Sequence, residues 1–163
     1  MSIATPAARP AVPMDVHAPP SPAAVPARRW SALSLDERLL RLAVLYALLG
    51  IGMGLAMAMS HDFTNKGVHV HVNMLGWVSM ALMSMGYRQF PRMARSPLAR
   101  AHFWLHALGL PVMAAGIWMV LHQLPNAEPV VGSGSLAVAA AFACFALNVW
   151  INAVNPVTAK ESA

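Results

Sequence analysis

Charge is what this sequence has least of. Only 10% of its 163 residues are Asp, Glu, Lys or Arg, against about a quarter in an ordinary soluble domain. Acids are the scarcest: Asp15, Asp36, Glu37, Asp62, Glu128 and Glu161 are the full set, and all lie outside the apolar runs. That excludes a carboxylate proton channel within a membrane. The single cysteine, Cys144, excludes an intrachain disulfide and a cysteine metal cluster; inside an apolar run it reads as a small packing residue. There is no glycine-rich phosphate loop, and no Ser/His/Asp or Cys/His triad can be assembled.

What is abundant is hydrocarbon. The chain is 58% hydrophobic with a mean hydropathy of +0.54, more apolar surface than one water-soluble core of this size can cover. Lipid must be part of its solvent. The net charge of +5 does not point to nucleic acid, because the basic residues form no patch among aromatics. They fall between apolar runs instead.

Four such runs occur, at about 39–60, 69–88, 101–121 and 131–155, each near or above the ~20 residues needed to span ~30 Å of hydrocarbon. Backbone groups in lipid must be satisfied internally, so the runs are read as helices. Pro111 predicts a kink in the third, and Pro156 closes the fourth. Ser34, followed by Asp36 and Glu37, is a suitable start for the first helix. The expected fold is all-α: a four-helix transmembrane bundle over 34–156, a disordered Pro/Ala-rich tail over 1–33 and a short tail over 157–163. Small residues at Gly50 and Gly54, and at Gly109 and Gly116, predict close helix approach.

Arginine placement sets the expected orientation. Arg28, Arg29, Arg38 and Arg41 lie before or at the start of the first run and Arg88, Arg92, Arg95 and Arg100 fill the second connection, whereas the first connection has only Lys66 and the third has no Lys or Arg. Both termini and the 88–100 loop are therefore expected in the cytoplasm of a bacterium, with 61–68 and 122–130 on the outer side of its inner membrane.

Six of the seven histidines, His61, His69, His71, His102, His106 and His122, fall in or beside the runs. Imidazole is uncommon in hydrocarbon and marks functional candidates there; neutral imidazole is also a usual metal and haem-iron ligand. His69 and His71, two residues apart, point to nearly opposite faces of a regular helix, about 200° apart, so one internal metal cannot take both. His102 and His106, at i and i+4, share a face. Asn148, Asn152 and Asn155 recur at the same depth on the fourth run, and either hydrogen-bond these imidazoles or border a second haem or metal site. Met53, Met57 and Met59 lead towards His61, a thioether–imidazole mix that suits Cu(I). Met80, Met83, Met85 and the rest are scattered as apolar filler.

The segments Met59-Ser-His-Asp-Phe63, His69-Val-His-Val-Asn73-Met-Leu-Gly-Trp77, Tyr87-Arg-Gln-Phe-Pro91 and His102-Phe-Trp-Leu-His106 together resemble small proteins related to subunit I of haem–copper oxidases. The similarity is greatest to the cbb-type cytochrome c oxidase and nitric oxide reductase branch, and covers roughly residues 40–155. In that superfamily a histidine near the outer end of the second helix, often in an H-x-N context, ligates low-spin haem. The resemblance thus implies haem b held by His71, with His69 as second choice and Asn73 beside them. His106 is a poor partner for His71: it sits about 22 Å from the outer end of its helix, against about 3 Å for His71. His61, His122 or a second copy of the chain are better placed as the other axial ligand. The resemblance implies a role in respiratory electron transfer or in response to oxygen or nitric oxide, as a homo-oligomer or a respiratory-complex subunit. Without the further helices and copper histidines of a complete oxidase, oxygen reduction by the chain alone is not expected. The alternatives are a copper or haem assembly factor and a structural oxidase subunit.

Overall fold

The computed structural model describes residues 33–153. The tails expected over 1–33 and 157–163 therefore lie outside the described residues, apart from Leu33, which is buried. Asn155 and Pro156 lie outside them too. All regular structure among the described residues is helical: α1 (Leu35–Ser60), α2 (Lys66–His71), a π-helical segment (Val72–Ser79), α3 (Met80–Gln89), α4 (Pro91–Ala94), α5 (Pro97–Leu121) and α6 (Ala127–Asn152).

Three of these, α1, α5 and α6, are long and apolar enough to cross a membrane. At 1.5 Å per residue, 25 residues reach about 38 Å, more than the ~30 Å hydrocarbon layer. The stretch expected as a second span is helical without a break from Lys66 to Gln89, but a π segment occupies its middle and it is not one regular α-helix.

Helices begin three or four residues before the apolar runs do. Hydropathy marks what lipid can surround; the helix itself extends back to the first residue able to cap it. Ser34 N donates to Glu37 Oε2 at 2.9 Å, and Ser96 Oγ accepts from Ala99 N at 3.1 Å, with Pro97 in the first turn, where its missing N–H costs nothing. α6 stops at Asn152, short of the expected 155, and Ala153 N closes it on Val149 O at 3.0 Å. α5 runs through Pro111 and continues to Leu121.

Successive elements pack antiparallel, and glycines set the spacing. A methyl added at Gly109 would fall 2.7 Å from Cβ of Ala137, one at Gly116 would fall 2.5 Å from Cα of Val131, and one at Gly134 would fall 2.5 Å from Cα of Met113. The α5 and α6 backbones are thus in near contact along three turns, as small residues permit. Gly50 and Gly54 act differently. They face side chains of the second stretch, Asn73 and His69 respectively, so this GxxxG seats polar groups on α1 and does not join two backbones. Farther along, Gly76 lies against Tyr46, and Ser84 Oγ donates to Asp36 O at 2.8 Å.

The exterior is far more apolar than that of a water-soluble bundle, while the buried core is mostly apolar with a few polar side chains set into it. Trp150 is 84% exposed and Leu136 72%, while His102, His106 and Asn148 are 0% exposed. Apolar faces outside and hydrogen-bonded polar groups inside fit a lipid surround.

Candidate functional site

The six histidines form two groups at different depths. The first lies at the end carrying the connections 61–65 and 122–126, here the loop end. The second lies towards the connection 90–96, the arginine end.

At the loop end, His61 terminates α1 with φ 55°, a left-handed conformation usually left to glycine or asparagine. Its side chain is exposed. The acid beside it does not orient it: Asp62 Oδ1 accepts from Thr64 N at 2.9 Å and from Thr64 Oγ1 at 2.6 Å, closing the turn. The Thr64 hydroxyl, then the Thr64 amide, hold the Asp62 carboxyl below its ordinary range, and the nearby His122 adds to the effect.

His69 and His71 diverge, as the 200° argument requires. The His69 ring packs over Gly54, where an added methyl would come within 3.1 Å of Cε1. Asn73 Nδ2 donates to His69 O at 2.8 Å and lies 3.4 Å from the His69 Nδ1. Asn73 therefore serves the His69 side, against α1. His71 is partly buried, and its Nδ1 bonds Gly67 O at 2.8 Å. A carbonyl only accepts, so Nδ1 carries the proton and Nε2 presents a lone pair. His122, exposed, repeats the arrangement one loop away: its Nδ1 donates to Trp118 O at 2.8 Å, and its ring stacks on Trp118 at 4.5 Å. Fixing one ring nitrogen on a carbonyl to free the other is how ligating imidazoles are oriented. The methionines near this end do not converge: Met57 is buried whereas Met59 is 75% exposed.

The second group is a buried chain. Tyr87 Oη lies 3.1 Å from His102 Nδ1, His102 Nε2 lies 3.3 Å from His106 Nδ1, and His106 Nε2 lies 3.1 Å from Leu75 O. Met83 Sδ is 3.1 Å from His102 Nε2. The carbonyl end fixes the direction. Leu75 O can only accept, so His106 Nε2 is protonated; in a neutral ring Nδ1 then accepts from His102 Nε2–H, and His102 Nδ1 accepts from the Tyr87 hydroxyl. Phe145 and Phe142 of α6 wall the rings at centroid distances of 5.4 Å to His102 and 5.5 Å to His106.

The π segment accounts for how Leu75 takes part. Its wide turns loosen the regular i→i−4 ladder, and carbonyls there take side-chain donors: Met74 O from Ser79 Oγ at 2.7 Å, Leu75 O from His106. Nothing in residue periodicity signals this, and sequence reasoning missed both the π turns and the role of Tyr87 beside His102.

The expected asparagine partners are elsewhere. Asn148 Oδ1 accepts from Ser96 Oγ at 3.0 Å and from Asn152 Nδ2 at 2.9 Å, and Asn148 Nδ2 donates to Met93 O at 3.1 Å. This network ties α6 to the 90–96 connection and leaves the imidazoles to Tyr87 and Leu75. Among the described residues no three His, Cys, Asp or Glu side chains converge on a metal position. Comparison with known proteins finds no matching family model, no matching curated protein and no matching solved structure.

Proposed function

We propose that the chain is a haem-binding protein of the bacterial inner membrane, crossing it four times with both termini in the cytoplasm, and that His71 Nε2 is an axial ligand of haem b. The fourth crossing is the Lys66–Gln89 stretch, whose 24 residues are long enough for the ~30 Å layer. The single observation that carries the reading is the Gly67 carbonyl on His71 Nδ1, 2.8 Å away, which leaves a fixed imidazole with a free Nε2. Haem bound there would supply one-electron transfer or reversible binding of a diatomic gas.

The chain's own contribution is ligation and orientation. His71 offers the donor, while His69 and Asn73 lock this end of the stretch onto Gly50 and Gly54. His122, with its own Nε2 free, and exposed His61 are the in-chain candidates for the second axial position. A second copy of the chain or a respiratory complex is the other source of that ligand.

The test is a reduced-minus-oxidised spectrum of detergent-purified protein. Sharp bands are expected in the wild type and in His69→Ala, and their loss in His71→Ala. Bands that survive His71→Ala would remove the ligand assignment. A colourless protein that co-purifies with an oxidase would favour a structural subunit.

A further inference from the structure

We propose that Met83, His102 and His106 form a buried Cu(I) site, separate from the loop-end histidines and independent of whether those bind haem.

Both other donor atoms lie close to His102 Nε2. His102 Nε2 is 3.3 Å from His106 Nδ1 and 3.1 Å from Met83 Sδ. With metal–nitrogen bonds of about 2.0–2.1 Å, two nitrogens 3.3 Å apart subtend roughly 105–110° at the metal, an ordinary angle for a three- or four-coordinate ion. The other nitrogen of each ring has a partner of the kind that orients a ligating imidazole: Leu75 O for His106 Nε2 at 3.1 Å and Tyr87 Oη for His102 Nδ1 at 3.1 Å. The rings are 71° apart, so they do not stack.

The donor chemistry selects the ion. Two imidazoles and a thioether are a soft, uncharged set, and no carboxylate hydrogen-bonds or pairs with either ring among the described residues. Both imidazoles are 0% and Met83 5% exposed. A divalent ion there would keep its full charge uncompensated away from water, at high cost, so a monovalent soft cation is preferred. Loading needs no net proton release. His102 shifts its N–H from Nε2 to Nδ1, the Tyr87 hydroxyl changes from donor to acceptor, and His106 keeps its N–H on Leu75. Entry is from the arginine end, where a cleft of about 370 Å³ is lined by Tyr87 together with Ser34, Asp36, Arg88 and Arg95. The two arginines suit copper arriving as an anionic thiolate complex.

The experiment is Cu(I) titration of the full chain in detergent under reductant, against the chelator bicinchoninate. One Cu(I) per chain is expected, weakened about tenfold or more in Met83→Leu, a volume-conserving change, and unchanged in Met59→Leu. A wild type that never competes with the chelator overturns the proposal, as does binding lost in Met57→Leu but kept in Met83→Leu. Should Met83→Leu misfold, X-ray absorption of the copper-loaded wild type decides. A mixed nitrogen and sulfur shell is expected; an all-sulfur or all-nitrogen shell contradicts the site.

Discussion

Single residues at this site are explained by what a carbonyl or a hydroxyl forces on its neighbour. Leu75 O and Gly67 O can only accept, and from that alone the tautomers of His106 and His71 follow. Tyr87→Phe removes the donor to His102 Nδ1 and leaves a buried acceptor unpaired, which should lower stability by about 1–3 kcal/mol, read from reversible unfolding in mixed micelles. Little or no change would mean that Tyr87 does not anchor the chain of rings. At the loop end, Thr64→Val takes away the hydroxyl that does most to hold the Asp62 carboxyl down. Its titration, followed by carboxyl carbon NMR, should move up toward the ordinary value. The sign follows from linkage: a carboxyl lowered in the folded state stabilises the turn above its unfolded value, and that contribution disappears as pH falls through the lowered folded value. Residue identity was partly legible in the sequence. His71, His69, His102 and His106 stand out because imidazole is rare among apolar residues, and the i,i+4 spacing correctly placed the last two on one face. The roles of Tyr87 and Met83 beside His102 gave no signal, because a tyrosine at a helix end and a methionine among twelve look like interface and filler.

At the scale of elements, apolar run length located α1, α5 and α6 among the described residues, and missed their ends by three or four residues. The π segment was not legible, because its departure from 3.6 residues per turn leaves an apolar stretch apolar. Glycine spacing was legible in kind but not in partner. Gly109 and Gly116 bring two backbones together as expected, whereas Gly50 and Gly54 receive Asn73 and His69. Gly134→Val should force α5 and α6 apart and cost about 1–3 kcal/mol or more from overpacking, whereas Gly52→Ala, with nothing within 4 Å, should be neutral. Equal thermal shifts for the two variants would contradict the backbone contact. The asparagines of α6 were expected to hydrogen-bond the imidazoles or to border a second haem or metal site; Asn148 instead bonds Ser96, the Met93 carbonyl and Asn152.

Over the described residues the molecule has a mostly apolar interior holding a few hydrogen-bonded polar side chains and an apolar exterior, with the basic residues of its 88–100 connection at one end and two histidine-bearing connections at the other. Composition carried that apolar exterior directly, since water does not tolerate so many exposed Leu, Ile and Trp side chains. The orientation rests on arginine counts. Single cysteines placed at Phe63 and Leu124 should react with a membrane-impermeant thiol reagent in intact spheroplasts, while one at Arg92 should react only after lysis. The reverse pattern would put His71 on the cytoplasmic side. The central claim is iron ligation by His71, and haem content tests it most directly. Protein purified from haem-supplemented cells should carry one haem per chain or per pair of chains, and His71→Ala of the same helicity should carry none. Wild-type protein that emerges pigment-free under that supply would contradict the account.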